Sequence, residues 1–251
     1  MNLDKVFSFN NKIIVVTGGA SGIGEAISKA FAAQGATVAV VDLEESKAMK
    51  IAEELGNSSR GFACDVANYE SVNNVAAAIQ DVYKKVDVLV NSAGIVALAP
   101  AENLSLDTWN RTININLSGT FFMSQAIGKL MLSQGSGKIV NMASQAASIA
   151  LDEHAAYCAS KFGVLGITKV LASEWAGRGI NVNSISPTVV LTELGKKAWD
   201  GPKGDALKKL IPTGRFALPE EIAASALFLS SSAADMINGA DLLVDGGYTI
   251  R

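Results

Sequence analysis

The chain has 251 residues, 49% hydrophobic and 18% charged, which suits one α/β domain with a large core. A net charge of −3, with 21 basic residues and no dense run of them, excludes a field built for nucleic acid. The start, Met1-Asn-Leu-Asp-Lys5, has no apolar signal core, no apolar stretch reads as long enough to span a membrane, and Cys64 and Cys158 are too few for a disulfide framework, so a soluble cytoplasmic protein is expected.

Residues 12–16 read as a short buried strand by their β-branched run. The turn Thr17-Gly-Gly-Ala-Ser-Gly-Ile-Gly24 follows at once. Residues 25–34 carry a helical period, with Ile23, Ile27, Ala30 and Phe31 as the apolar stripe and Gly35 as the stop. A second strand, 37–41, is closed by Asp42. The pattern repeats: helix 44–55, strand 60–64 ending in Asp65-Val66, helix 69–85, and strand 86–90 ending in Asn91-Ser-Ala-Gly94. Long helices at 106–133 and 155–178 alternate with strands at 137–142 and 180–185. An irregular stretch, 186–192, leads into short helical pieces near 193–199 and 205–210. A helix with Pro in its first turn spans 219–230. A seventh strand, 242–244, precedes the turn Asp245-Gly-Gly-Tyr248. This alternation predicts an α/β fold: a single doubly wound Rossmann-type domain over 1–251, its seven-stranded parallel sheet flanked by helices on both faces. The segment about 188–215 is expected to cover the substrate.

In such sheets ligands lie beyond the carboxyl ends of the strands. Those ends carry Gly18 to Gly24, Asp42, Asp65, Asn91 to Gly94, Ser144 and Pro187. Gly18, Gly22 and Gly24 remove Cβ atoms where a pyrophosphate would approach, and the helix that follows offers free N–H groups, with Ser21 and Ile23 in the same turn. The spacing differs from G-x-G-x-x-G, and a glycine turn is often only a turn. Asp42 stands where a carboxylate accepts from ribose hydroxyls and repels a 2′-phosphate; its other reading is a helix N-cap. No Lys or Arg adjoins it, so NAD is expected over NADP. Asp65, beside Val66, reads as a partner of the adenine amino group or as a turn residue. Asn91, Ala93 and Gly94 let backbone pass close to a cofactor, or simply turn.

Tyr157 and Lys161 are four apart and share one helix face. An ammonium there is expected to lower the phenol from its usual pKa of about 10, giving a proton donor or acceptor near neutral pH. Ser144 ends the fifth strand and faces the same cleft. A solvated Lys, a half-buried Tyr and a capping Ser are the plain alternative.

Taken together, Thr17-Gly-Gly-Ala-Ser-Gly-Ile-Gly24, Asn91-Ser-Ala-Gly94, Asn114-Ile-Asn-Leu-Ser-Gly119, Ile139-Val-Asn-Met-Ala-Ser144 and Tyr157-Cys-Ala-Ser-Lys161 make the chain resemble the classical short-chain dehydrogenase/reductase family from about residue 11 to 248. Two departures stand out: Asn91-Ser for the usual Asn-Asn, and Pro187-Thr188 for the usual Pro-Gly. The resemblance implies a catalytic tetrad of Asn116, Ser144, Tyr157 and Lys161. Tyr157 would exchange the proton with the substrate oxygen. Lys161 would assist it and hold the ribose, Ser144 would donate to the substrate oxygen, and Asn116, in a kinked helix, would hold a relay water. Thr192 would bond the nicotinamide carboxamide, with Pro187, Val189 and Val190 beside it. The family pairs its two long helices between subunits, which implies a homotetramer. Nothing has metal-ligand spacing, so no catalytic metal is expected.

Ser144-Gln145, His154, Pro187-Thr-Val-Val190 and Trp199 resemble the L-xylulose reductase and polyol dehydrogenase subgroup. That implies a polyol or ketose substrate touched by Ser144, Gln145, His154, Tyr157 and Trp199, with no nucleic-acid or membrane partner. His154 reads equally as a surface or capping residue, and Trp199 as core of its own segment. The alternatives are a reductase of dicarbonyls, L-xylulose-like ketoses or 3-oxoacyl substrates, and a nucleotide-binding scaffold that has lost its chemistry.

Overall fold

The computed structural model describes residues 6–250. Seven strands form one parallel sheet in the order β3-β2-β1-β4-β5-β6-β7: β1 Ile13–Thr17, β2 Thr37–Asp42, β3 Arg60–Ala63, β4 Val88–Asn91, β5 Gly137–Met142, β6 Ile180–Pro187 and β7 Asp241–Val244. The order reverses beside β1, so a crevice opens between the ends of β1 and β4. The helices are α1 Gly22–Ala33, α2 Glu45–Leu55, α3 Tyr69–Tyr83, α4 Leu106–Ile113, α5 Gly119–Gln134, α6 Ala155–Trp175, α7 Glu193–Ala198, α8 Pro202–Leu210 and α9 Pro219–Ser230.

Strand side chains alternate between faces, and the two cores follow that alternation. Ile14, Val16, Val38, Val40, Val88 and Val90 pack with Ile27 and Phe31 of α1, Ile51 of α2 and Ile222 of α9. Val15, Ala39, Val41, Leu89 and Ile139 pack on the other face with Val72 of α3, Met123 and Ile127 of α5, and Leu171 and Trp175 of α6. Burial on both faces explains why these strands are apolar runs without a polar side.

The structure differs from the sequence reading in two places. The helix expected over 106–133 is continuous but widens to a π-helix at Asn114–Ser118, between α4 and α5. The expectation that no stretch reaches membrane-spanning length is also corrected: Ala155–Arg178 is long and apolar enough by composition. Here it lies against the sheet through Leu171 and Trp175. Part of its hydropathy comes from an outward stripe, with Phe162 50% and Val170 54% exposed.

Candidate active site

The strand ends enclose a cleft of about 970 Å³. Its floor is the glycine turn between β1 and α1. A Cβ on Gly24 would lie 2.1 Å from the Gly18 carbonyl oxygen, and one on Gly18 would lie 2.9 Å from Ala93 Cα, so both positions require glycine for packing. Thr17 Oγ1 accepts from Ser92 N at 3.0 Å and Ala93 N at 3.1 Å, tying this turn to the loop after β4. Sequence reasoning passed over Thr17, although its place at the head of the glycine motif was the available signal. Ser21 precedes α1 in extended conformation and makes no side-chain cap bond. The first-turn N–H groups and positive end of α1 therefore face the cleft without a side-chain partner, an arrangement that fits a pyrophosphate.

Gly18, Ser21, Gly22, Ile23 and Gly24 line this cleft with Ala93 and Gly94. Ser144 and Pro187 line it from the other strand ends, Tyr157 and Lys161 from α6, and Thr192 from the start of α7. Thr192 caps α7 by accepting from Gly195 N at 3.0 Å, and its methyl stands 3.3 Å from where a Gly22 Cβ would be. Leu191, Thr192, Glu193 and Lys196 thus line the cleft near the start of α1.

Tyr157 and Lys161 occupy the first turns of α6, with Lys161 Nζ 5.6 Å from the centre of the Tyr157 ring. The expected acidification of the phenol is corrected. Burial pushes the Tyr157 phenol up, and its hydrogen bond with Ser144 pulls it back only in part. Lys161 is 6% exposed and donates to the Met142 carbonyl at 2.7 Å. Burial pushes its ammonium down to about 8. The site as it stands thus holds a neutral phenol beside an ammonium that yields its proton readily. Ser144 does both things its position allowed: it lines the cleft, and its Oγ accepts from Ala146 N at 3.2 Å.

Asn116 sits in the π-helical turn and is fully buried. Its Oδ1 accepts from Ile95 N at 2.8 Å, while its Nδ2 donates to Ile95 O at 2.9 Å and to Ser160 Oγ at 3.1 Å. It braces the loop after β4 against α6, and a relay water would have only its second Oδ1 lone pair. Ser160 escaped the sequence reading because its partner lies in a distant element.

Several expected residues stand outside the cleft. Asp42 Oδ2 accepts from Ala20 N at 3.2 Å, which ties the tip of β2 to the glycine turn. Asp65 holds its own turn by accepting from Ala67 N at 3.0 Å, and Val66 packs where Gly119 leaves room. Asn91 points its side chain into the sheet, donating to Asn141 Oδ1 at 2.8 Å and Ser124 Oγ at 2.9 Å. Val189 and Val190 are tied to Ala217. The Trp199 ring lies 6.1 Å from that of the buried Phe216, with Lys203 Nζ 5.1 Å from its own centre. His154 meets the Tyr157 ring edge-on at 6.0 Å, and its Nδ1 donates to the Asp152 carbonyl at 2.6 Å. Gln145 is buried beneath Ser144, with no partner for its Oε1 among the described residues.

Thr188, which follows β6, also lines the cleft. It is 8% exposed, and its hydroxyl has no partner among the described residues. A buried hydroxyl left so costs about 1–3 kcal/mol.

The family model described as Enoyl-(Acyl carrier protein) reductase matches residues 18–249. A D-threitol dehydrogenase of Mycolicibacterium smegmatis is 63% identical, covering 100% of this chain and 98% of its own length. An NAD-dependent glycerol dehydrogenase of Listeria innocua is 53% identical over 99% of this chain and 98% of its own. A solved structure from Beutenbergia cavernae, 40% identical, superposes with a TM-score of 0.91 over 98% of this chain and 100% of that one, and holds NADP at low occupancy. With the match nearly end to end and the fold the same, this chain belongs to the short-chain dehydrogenase/reductase family of oxidoreductases.

Proposed function

We propose that the protein is an NAD-dependent polyol dehydrogenase that oxidises one secondary alcohol of a four- to six-carbon sugar alcohol to the ketose. The convergence of Ser144, Tyr157 and Lys161 on one cleft beside the uncapped end of α1 carries this reading. The substrate class is supported by the full-length relatives named for threitol and glycerol.

In the proposed mechanism the glycine turn and the first turn of α1 would seat the pyrophosphate, Asp42, tied to that turn at the tip of β2, would hold the adenosine ribose, and Asp65, after β3, would meet the adenine. Lys161 would hold the nicotinamide ribose and Thr192 the carboxamide of a bound dinucleotide, which would supply the hydride acceptor for the alcohol carbon. Ser144 Oγ donates to the alcohol oxygen and fixes its direction. Oxidation uses the phenolate form of Tyr157, which the charge of the adjacent, buried Lys161 ammonium stabilises. Tyr157 Oη takes the hydroxyl proton as the carbonyl forms and releases it toward solvent before the next turnover; in reduction the phenol gives its proton to the oxygen. The segment 188–215 covers the substrate.

The test is reduction of NAD and NADP in parallel, followed by absorbance, across glycerol and four- to six-carbon alditols. Turnover of at least one alditol with NAD, at about ten-fold or greater preference over NADP, is the expected outcome. Binding of NAD without oxidation of any alcohol would instead favour a nucleotide-binding scaffold.

The same reading includes a homotetramer in the cytoplasm. Phe162 and Val170 on α6, and Leu106 and Trp109 on α4, leave apolar surface exposed on the two long helices. Light scattering is expected to give four times the 26.1 kDa chain mass, and Phe162→Glu a smaller species. A monomer at micromolar concentration would overturn this.

A further inference from the structure

We propose that the Thr188 hydroxyl recognises the hydroxyl on the carbon next to the reacting alcohol, so that the enzyme selects vicinal diols. The inference rests on the polyol reading above.

The fold places Thr188 where it can do this. β5 and β6 are paired neighbours, with Met142 beside Ile185. Ser144 follows the end of one strand and Thr188 the end of the other, so the two residues flank the same stretch of cleft, and both line it with Tyr157. Ser144 and Tyr157 claim the oxygen that reacts. A second oxygen on the adjacent carbon then lies beside that pair, within the cleft that Thr188 also lines.

The chemistry of the side chain is the second observation. The backbone N–H of Thr188 is engaged with the Val244 carbonyl at 3.3 Å. The side-chain hydroxyl is not engaged by any described residue, although it is almost wholly shielded. A valine has the same shape and would fill the position without that penalty. A glycine would leave the space open. Recognition requires a rotation about χ1 that brings the hydroxyl to the cleft, where it can both donate to and accept from a substrate hydroxyl. Asn91, Gln145 and Ser230 also carry unpartnered buried polar atoms, but none of them lines this cleft.

The experiment compares Thr188→Val and Thr188→Ser with the unaltered enzyme on D-threitol and on 2-butanol, a secondary alcohol with no neighbouring hydroxyl. The ratio of kcat/KM for threitol to that for butanol is expected to fall about ten-fold or more in Thr188→Val, through KM for threitol, and to be restored in Thr188→Ser. A ratio within two-fold of the unaltered enzyme would overturn the assignment. So would a rise in KM for NAD instead, because the hydroxyl would then serve the cofactor. Failure of the unaltered enzyme to oxidise threitol or any other polyol would remove the polyol reading and this assignment with it. Threitol oxidation with an unmoved ratio removes only the assignment.

Discussion

Tyr157→Phe is expected to lower kcat for alcohol oxidation by about 10²- to 10⁴-fold, the range that a positioned proton acceptor supplies. The change removes one oxygen and keeps the ring that meets His154 edge-on, so the fold has little reason to respond. Circular dichroism and NAD binding should be unaltered while turnover disappears. The pH dependence adds a signed test. Burial holds the phenol neutral well into the alkaline range, and Lys161 gives up its proton at about 8. Oxidation needs a group that can accept a proton, so its kcat/KM should climb with rising pH. Reduction needs the same group protonated, so its rate should fall across the same range. The two groups are adjacent and titrate as a pair, and the profiles report the pair. Residual activity in Tyr157→Phe that kept the slope of the unaltered enzyme would place the proton acceptor elsewhere.

Asp42→Ser is expected to move cofactor preference toward NADP by about 10²-fold, measured as the ratio of kcat/KM for the two dinucleotides. A carboxylate at the tip of β2 repels a 2′-phosphate, and serine removes that repulsion while keeping a hydroxyl for the ribose. The substitution also removes the acceptor for Ala20 N, so some loss with NAD should accompany the gain with NADP. A preference that stays within a few-fold would mean that Asp42 serves only as a brace of the glycine turn.

The alternation of apolar runs with helical periods made the fold legible, because each strand is buried on both faces and reads as a β-branched block. The glycine turn, Ser144, Tyr157 and Lys161 were legible because their spacing is local: four residues on a helix, or one strand end. What could not be read was whatever depends on a partner far away in the chain. The phenol of Tyr157 is raised because distant elements bury it, and spacing carries no measure of burial. Trp199 turned toward Phe216, and Asn91 toward Asn141 and Ser124, each through contacts between separate elements. The kink at Asn116 followed only from the family resemblance, because the residue pattern itself carried no sign of the π-helical turn. Residues 106–133 keep an unbroken helical pattern, while the wide turn is held by Asn116 bonding the backbone of Ile95 and by Thr120 Oγ1 donating to the Asn116 carbonyl at 2.7 Å.

That wide turn also sets what a deletion within it would do to the chain. An α-helix rotates about 100° for each residue, and a π turn takes up one surplus residue in its wider loop, so the helix on either side of Asn114–Ser118 keeps its angular phase. Excising one of those residues would let the backbone relax to ordinary pitch with Ser124 still facing Asn91, yet it would withdraw Asn116 from the Ile95 backbone. A deletion inside this one helical turn should therefore spare the core and loosen the loop after β4 that lines the cleft.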